Sequence, residues 1–401
     1  MKNYLQNILI GLLTAILFSA FIYMQAYYVS IHSLNTLFAL SALALLLYAP
    51  KKSILFAGFF IGLFWFYWIG YSFEYQGVGY MEPIITVAFG FVYLLFFLPL
   101  YFTDKPYIRA LLIFALSFFE PFDWNWMQIE LLFVESYIGI FKWQFALVLA
   151  ALSLPSLLRK PLKYLPLLLL IGALNYGYVT PKEAPLKIKL VNTDVKQEYK
   201  WTREALQPTV AMLFREIEKA KNEGYELVVL PESVFPLFMN HAENLEAALK
   251  SLSYDIAIVA GTLYEEDGKH YNVNYIFENG EAHIAKKLVL VPFGEYIPLP
   301  KFISGFINKT FFSGASDFIR AESATDFTIK GIKFRNAICY EATCQEIYEG
   351  DIAYVIATSN NAWFAPSIEP TLQNLLLRYY ARKNGVVIYH SANYKGTGVI
   401  K

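Results

Sequence analysis

Charged side chains are scarce in this sequence, since only 16% of its 401 residues are Asp, Glu, Lys or Arg. A soluble domain carries about 25%, so the chain is too apolar to be one soluble protein. Its formal net charge is zero, which argues against a nucleic-acid binder, because such proteins show a basic surface. The two cysteines, Cys339 and Cys344, are too few for a disulfide scaffold or a structural zinc site.

The charges that are present divide the sequence near Pro181. Residues 1–180 hold 16 of the 66 charged side chains, and residues 181–401 hold the other 50. The second part therefore has the composition of an ordinary soluble domain, whereas the first is apolar enough to be embedded in a membrane. We expect a transmembrane domain over residues 1–180 and a separate domain over residues 181–401.

The first domain contains seven apolar runs, which we interpret as membrane-crossing helices of about 20 residues. They are Asn7–Tyr28, Leu34–Tyr48, Ser53–Tyr71, Pro83–Phe102, Tyr107–Phe119, Ile138–Leu158 and Leu162–Tyr178. Apart from Lys142, the basic residues lie before the first run and in alternate connections, which predicts a cytoplasmic N-terminus and residues 181–401 outside. The alternative is a signal peptide at the first run, but no A-x-A cleavage site follows it.

Aromatic residues crowd the connections that this orientation places outside, among them Trp68, Trp124 and Trp126. One interpretation is the aromatic belt that membrane proteins form at the interface with water. The other is an apolar groove that receives lipid acyl chains, with Trp68 as a lipid contact. Both interpretations stay open at this stage.

The second domain alternates apolar strand patterns with helical patterns. Strands are predicted at 186–193, 225–230, 255–262, 270–278, 283–291, 333–340, 351–358 and 386–392, and helices at 202–221, 242–252, 344–348 and 371–384. The Asn279-Gly280 pair between two of these strands is typical of a tight hairpin turn. The alternation favours a layered α/β domain, in which reactive residues gather at the carboxyl ends of strands.

Three residues at strand ends could carry chemistry. Glu232 follows a strand in LPES, Lys287 lies on the second hairpin strand, and Cys339 closes the strand KFRNAIC. Taken singly they could be a helix cap, a solvated lysine and a buried thiol. Taken together, a carboxylate can deprotonate the thiol and an ammonium can stabilise an oxyanion, which is what acyl transfer needs. The five histidines show no metal-ligand spacing and no nucleotide-binding motif is present, so we expect neither a metal nor a cofactor.

These motifs resemble those of a known family. LPES, KLVLVPFGE and ICYE, with Glu232, Lys287 and Cys339, resemble the Glu-Lys-Cys triad of the nitrilase superfamily. VPFGEYIPL, ICYE and SNNAWF, together with WIGYSF in the third apolar run, are similar to the bacterial apolipoprotein N-acyltransferases. The resemblance implies a multi-span α-helical membrane domain plus an α/β nitrilase-like domain, an αββα sandwich, on the periplasmic side of the inner membrane.

The resemblance also implies a reaction and its participants. Cys339 would take an acyl chain from a phospholipid as a thioester, with Glu232 as the base and Lys287 stabilising the oxyanions. The acceptor would be the α-amino group of a diacylglyceryl-cysteine at the N-terminus of an apolipoprotein. Glu295 and Glu341 would support the site by holding Lys287 and shaping the pocket, and Tyr340 would pack beside the nucleophile.

An apolar segment follows the second hairpin strand, from Pro292 to Phe318. Exposing so many apolar side chains to water would be costly, so we interpret it as a lid that contacts lipid; the alternative is a loop packed on its own domain. The candidates for lid or lipid contact here and in a second flap are Phe293, Phe302, Phe306, Trp363 and Phe364.

Three further expectations complete the interpretation. The resemblance implies a final membrane helix after the nitrilase-like domain, but no eighth apolar run follows in this sequence, so we expect the C-terminus outside. Both cysteines are expected to be free, with Cys344 buried, and the protein to be a monomer. The open alternatives are a membrane-tethered amidase that passes the acyl group to water and a non-catalytic lipid-binding scaffold.

Overall fold

The chain separates into two units, residues 1–178 and residues 179–401. A computed structural model describes residues 2–176, 178–296 and 318–401. Helices dominate the described part of the first unit. They are α1 (Lys2–Ala26), α2 (His32–Tyr48), α3 (Lys51–Phe66), α4 (Glu82–Phe97), α5 (Pro106–Leu116), α6 (Lys142–Ser153) and α7 (Leu169–Gly172), joined by short 3-10 segments such as Tyr67–Gln76.

Three described helical stretches are long and apolar enough to cross a membrane: Asn3–Ala26, Lys51–Gln76 and Gly79–Phe102. The last two are α3 and α4 extended by 3-10 turns. Shorter apolar helices occupy His32–Tyr48, Pro106–Leu116 and Leu162–Gly172. Each of the seven predicted runs thus contains helix, while the count of seven crossings and their direction stay predictions.

An aromatic cluster fills part of the first unit's interior. Trp68 is 1% exposed, donates its indole N–H to the carbonyl oxygen of Trp65 at 2.7 Å, and has its ring centroid 5.3 Å from that of Trp126. Nearby, Phe66 stacks on Tyr93 with centroids 4.9 Å apart. Trp68 is thus packed among other aromatic rings, and its contact with lipid stays a prediction.

A buried arginine donates hydrogen bonds to the carbonyl oxygens at the end of α2. The guanidinium of Arg109, on α5, is 1% exposed and donates to the carbonyl oxygens of Leu47 at 3.1 Å and Ala49 at 2.7 Å, while its Nε donates to that of Thr103 at 2.9 Å. The last carbonyls of a helix have no partner within the helix. Arg109 therefore satisfies groups that would otherwise be unpaired in an apolar interior.

The second unit contains two five-stranded mixed sheets. The first sheet has the order β1 (Ile188–Leu190), β2 (Leu227–Val229), β3 (Ala257–Glu266), β4 (Lys269–Glu278) and β5 (Glu281–Lys286). The second has the order β10 (Gly398–Ile400), β9 (Val387–Asn393), β8 (Tyr354–Asn360), β7 (Ile332–Ile338) and β6 (Asp326–Ile329). In each sheet three neighbouring strands run parallel, and the other two pairings are antiparallel.

Helices cover the outer faces of the two sheets. The helices of this unit are α8 (Gln197–Lys200), α9 (Arg203–Asn222), α10 (Glu243–Leu252) and α11 (Glu369–Asn384). One apolar core joins α9 and α10 to the first sheet, and a second core lies between the sheets. In that second core, Asn274 on β4 donates to Asn336 on β7 at 2.7 Å and accepts from Thr358 on β8 at 3.1 Å. The αββα sandwich implied by the resemblance is confirmed.

Most elements predicted for this unit are present, with shifted ends. The hairpin is confirmed: Glu278 pairs with Glu281, and Asn279 and Gly280 have φ of 52° and 81°, as a tight hairpin turn requires. The strand expected over 283–291 is wrong in its second half, because β5 ends at Lys286. The short strands β6 and β10 were not predicted, since three or four residues give too little alternation to detect.

The Arg109 network predicts a loss of stability on substitution. Arg109→Lys keeps the charge but replaces a planar fork of five donors by a single ammonium, so some carbonyls of α2 and the following turn lose their donor. We expect the variant to be less stable by about 1–3 kcal/mol, measured as a lower thermal unfolding midpoint in detergent.

Arg159→Lys is the matched control, because Arg159 lies on the surface of the same unit. It should leave the midpoint unchanged. Equal midpoints for the two variants would show that the Arg109 network contributes little.

Candidate active site

Glu232 lies just beyond β2, and donors from both sheets hold its carboxylate. Its Oε1 accepts from the side-chain amide of Asn272, on β4, at 2.8 Å. Its Oε2 accepts from the backbone N–H of Asn360, on β8, at 2.9 Å. Because the two donors come from different sheets, the carboxylate has a fixed position where the sheets meet.

Lys287 is the first residue after β5, whereas the sequence predicted that it would lie on the strand. The chain bends there because the N–H groups of Leu288 and Val289 turn away from β4 and donate to the Glu341 carboxylate. The Lys287 side chain is 1% exposed, so the solvated alternative does not describe it.

The Lys287 ammonium lies among carboxylates. Its Nζ is 2.9 Å from each carboxylate oxygen of Glu295 and 3.8 Å from Oε1 of Glu232. Burial by itself would lower the pKa of Lys287, but the charges of Glu295 and Glu232 outweigh burial and hold that pKa above its ordinary value. Lys287 is therefore a permanent cation in the site, and Glu295 is its direct partner.

Cys339 begins a 3-10 turn, Cys339–Thr343, at the end of β7. Its φ of 56° lies in the left-handed region that residues other than glycine seldom adopt. Burial and the charge of Glu232 raise the pKa of the thiol well above its ordinary value, and Lys287 opposes them. A thiol in this setting needs a base before it can act as a nucleophile.

Glu341 joins the turn at Cys339 to the segment after Lys287. Its Oε1 accepts from the N–H of Ile338 at 2.7 Å, and its Oε2 accepts from Leu288 and Val289 at 2.6 and 3.0 Å. Burial raises the pKa of Glu341 to about 7, although Lys287 and these three N–H groups lower it. Glu341 thus acts on the backbone of the site.

Two buried side chains, Tyr340 and Cys344, follow Cys339 in the chain. Tyr340 is buried next to it, and the Tyr340 carbonyl oxygen accepts from Sγ of Cys344 at 3.5 Å. Both cysteines are free and Cys344 is buried, which confirms that expectation. The side-chain amide of Gln373, on α11, donates to Sγ of Cys339 at 4.0 Å.

The candidates for lid or lipid contact are only partly described. Phe293 is 38% exposed, and Trp363 and Phe364 are half-buried in the 3-10 turn Asn361–Phe364. Phe302 and Phe306 lie outside the described residues. Contact of these side chains with lipid stays a prediction.

The sequence did not point to three partners of Glu232. Asn272 lies inside a strand, where asparagine is unusual, and this was a signal that could have been read. Asn360 stands in the motif SNNAWF, which suggests a family but no role for this residue. Lys200, which donates to the Glu232 carbonyl oxygen at 3.0 Å, gave no signal in the polar stretch QEYKW.

The arrangement as a whole is suited to covalent acyl transfer. A carboxylate can take the proton of a thiol, and a fixed ammonium can stabilise the oxyanion that forms when the thiolate attacks a carbonyl. Over the described ranges, no group of three His, Cys, Asp or Glu side chains could hold a metal ion.

A glycine on β3 sets the position of Glu232. A methyl group at Gly261 would lie 2.5 Å from Cα of Glu232, from the carbonyl oxygen of Pro231 and from the amide nitrogen of Ser233. All three are backbone atoms and cannot rotate away. We predict that Gly261→Ala displaces Glu232 and destabilises the protein by about 1–3 kcal/mol. Alkylation of Cys339 by iodoacetamide should become slower, because the carboxylate that we expect to act as its base has moved.

Gly398→Ala is the control for Gly261→Ala. Gly398 is also on a strand, and a methyl group there would meet nothing within 4 Å. If both variants alkylate at the wild-type rate and unfold at the wild-type temperature, close packing at Gly261 does not control the site.

Comparisons with known proteins identify the family of this chain. Residues 5–176 match the apolipoprotein N-acyltransferase integral membrane domain, and residues 188–396 match the carbon-nitrogen hydrolase family. A CN-hydrolase superfamily protein of Xanthomonas campestris is similar over 52% of this chain and 76% of its own, with 14% identity and a TM-score of 0.41. An apolipoprotein N-acyltransferase of Helicobacter hepaticus is 37% identical over 92% of this chain and 93% of its own. That of Wolinella succinogenes is 42% identical over 98% of this chain and 95% of its own, and the chain belongs to the apolipoprotein N-acyltransferase family.

Proposed function

We propose that this protein transfers an acyl chain from a phospholipid, through a thioester on Cys339, to the N-terminal amine of a diacylglyceryl-cysteine on an apolipoprotein. The observation that carries the proposal is the buried Lys287 ammonium, which lies between Glu295 and Glu232 and acts electrostatically on the Cys339 thiol. The relatives that match nearly the whole chain are apolipoprotein N-acyltransferases, which supports acyl transfer in lipoprotein maturation.

The first half-reaction forms the thioester. Glu232 takes the proton from Sγ of Cys339, and the thiolate attacks the carbonyl carbon of the sn-1 ester. Lys287 stabilises the oxyanion of the tetrahedral intermediate. The carbon–oxygen bond then breaks, the glycerol oxygen takes the proton from Glu232, and a lysophospholipid leaves with the acyl chain retained on sulfur.

The second half-reaction transfers the acyl chain to nitrogen. The α-amino group of the acceptor attacks the thioester carbonyl, Glu232 takes a proton from that nitrogen, and Lys287 again stabilises the oxyanion. The carbon–sulfur bond breaks, the amide is released, and Cys339 recovers its proton from Glu232. One carboxylate and one ammonium serve both steps, because the two intermediates place their charge at the same point.

The membrane unit gives a reason for this assignment over a soluble amidase. Both proposed substrates are held in a bilayer by acyl chains, so a catalytic unit tethered to the membrane meets them at its surface. We place the catalytic unit on the periplasmic side of the inner membrane, on the strength of the alternation of basic connections.

Substitution of the nucleophile tests the mechanism. Cys339→Ala should lower formation of triacylated lipopeptide by several orders of magnitude, because no covalent intermediate can form. After exposure to phospholipid, the intact mass of the wild type should increase by one acyl chain that maps to Cys339.

Cys344→Ala is the matched control and should retain both the acyl adduct and the activity. With labelled phospholipid and a diacylated lipopeptide, release of free fatty acid without triacylated peptide would instead identify an amidase. Triacylated product from Cys339→Ala would disprove the thioester route.

Labelling of single cysteines tests the orientation. In a background with Cys339→Ser and Cys344→Ser, Lys182→Cys should react with a membrane-impermeant maleimide from the periplasmic side, because Lys182 is exposed at the start of the catalytic unit. Lys52→Cys, exposed at the start of α3, should react only after the membrane is permeabilised. The reverse pattern would place the catalytic unit in the cytoplasm.

A further inference from the structure

A second buried lysine lies beside Glu232. Lys200 is the last residue of α8 and is 3% exposed. Its Nζ donates to the backbone carbonyl oxygen of Glu232 at 3.0 Å. Lysine is almost never fully buried unless it is paired, and the proposed reaction steps give this one no part. The burial of Lys200 therefore suggests that it acts on the site in some other way.

Lys200 is connected to Glu232 by a second route, through Asn360. One terminal atom of the Asn360 side-chain amide lies 3.1 Å from Nζ of Lys200 and 2.9 Å from Oε1 of Gln197, and the other lies 2.8 Å from Nδ2 of Asn393. The backbone N–H of the same Asn360 donates to Oε2 of Glu232. Lys200 thus contacts the backbone of Glu232 and also the residue that holds its carboxylate.

The backbone carbonyl of Glu232 lies at a sharp turn, where it requires a hydrogen-bond donor from outside the sheet. Ser233, the next residue, has a φ of 46°, so the chain turns sharply out of the sheet where the carboxylate must be held. A carbonyl oxygen at such a turn lies beyond the strand pairing of β2, which ends at Val229. The donor from Lys200 satisfies that oxygen inside the protein.

A second positive charge would also stabilise the negative charge that Glu232 and Cys339 share. Lys287 is 2.9 Å from Glu295 but 3.8 Å from Glu232, so Glu295 neutralises much of its charge. In the proposed first step the proton moves from Cys339 to Glu232, so one negative charge passes from the carboxylate to the thiolate. A second cation beside Glu232 keeps that charge paired inside the protein before and after the transfer.

The geometry points to Lys200 as a positioning residue that holds the backbone of Glu232 and supplies a second positive charge to the Cys339 thiol. The inference rests on the proposed roles of Glu232 and Cys339 and deepens them. Lys200 touches neither substrate, and it acts through Glu232 and through its charge.

The electrostatics of Lys200 support this role. Burial lowers the pKa of Lys200 to about 8, while Glu232 and the Cys339 thiol oppose that change. These are the titratable groups that act on the ammonium, and its polar contacts are the neutral Asn360 amide and the Glu232 carbonyl. Lys200 is therefore charged at neutral pH and loses its proton as the pH rises through about 8.

The test measures the thiol directly. In a Cys344→Ala background, the rate of Cys339 alkylation by iodoacetamide is followed against pH for Lys200→Met, Lys200→Arg and the otherwise unchanged protein. Loss of the charge should raise the pKa of the thiol by about one unit, so that Lys200→Met is alkylated about tenfold more slowly at pH 7. Lys200→Arg keeps the charge and should stay within about twofold of the parent at that pH.

Acyl transfer supplies a second measurement. The rate of the parent protein should decline above about pH 8, as Lys200 loses its proton, whereas Lys200→Arg should keep its rate because arginine stays charged. Lys196→Met is the matched control, because Lys196 is exposed immediately before α8, and it should change neither profile.

The outcomes separate this inference from the proposed function. Alkylation needs no lipid or lipopeptide, so a shifted profile for Lys200→Met supports the role of Lys200 even if the protein forms no triacylated product. An unshifted profile for Lys200→Met, in a protein that does form the product, would overturn the inference alone. If Lys200→Met fails to fold, the Lys200→Arg variant decides. A rate of acyl transfer that declines above pH 8 equally in Lys200→Arg and in the parent protein would overturn the inference.

Discussion

The catalytic unit depends on the burial of an ammonium group. Removing a lysine from water is costly unless its charge is closely paired, and Lys287 meets this condition through Glu295 at 2.9 Å and Glu232 at 3.8 Å. Each carboxylate is itself fixed, Glu295 by the N–H of Val291 at 2.8 Å and Glu232 by Asn272 and Asn360. The hairpin, the bend after β5 and the junction of the sheets all serve to keep these groups in place.

Burial also limits how much charge the site carries. The pKa of Glu341 is raised to about 7, and burial and then Glu232 raise the pKa of Glu369, at the start of α11, well above its usual range. Both shifts favour the uncharged form of these carboxyl groups and so limit the negative charge of the site. Lys287 and Lys200 offset the carboxylates of Glu232 and Glu295, as a buried group of charges requires.

The sequence predicted those features that depend on a local pattern of residues. The apolar runs, the Asn279-Gly280 turn and the motifs around Glu232, Lys287 and Cys339 predicted the two units, the hairpin and the candidate triad. The end of β5 could not be predicted, because KLVLV alternates like a strand and only Glu341, far along the chain, draws its N–H groups away. Lys200 was missed for a similar reason: its burial depends on partners that come together only in the folded unit.

The bonds of Glu232 have a consequence for the way the protein is made. One of its oxygens is held from β4 of the first sheet and the other from β8 of the second, and the thiol stands at the end of β7 in that second sheet. A chain that has formed only its first sheet would contain Glu232 and Lys287, but Cys339 and one of the two donors to the Glu232 carboxylate would not yet be in position. Any reactivity of Cys339 that depends on Glu232 would therefore require both sheets.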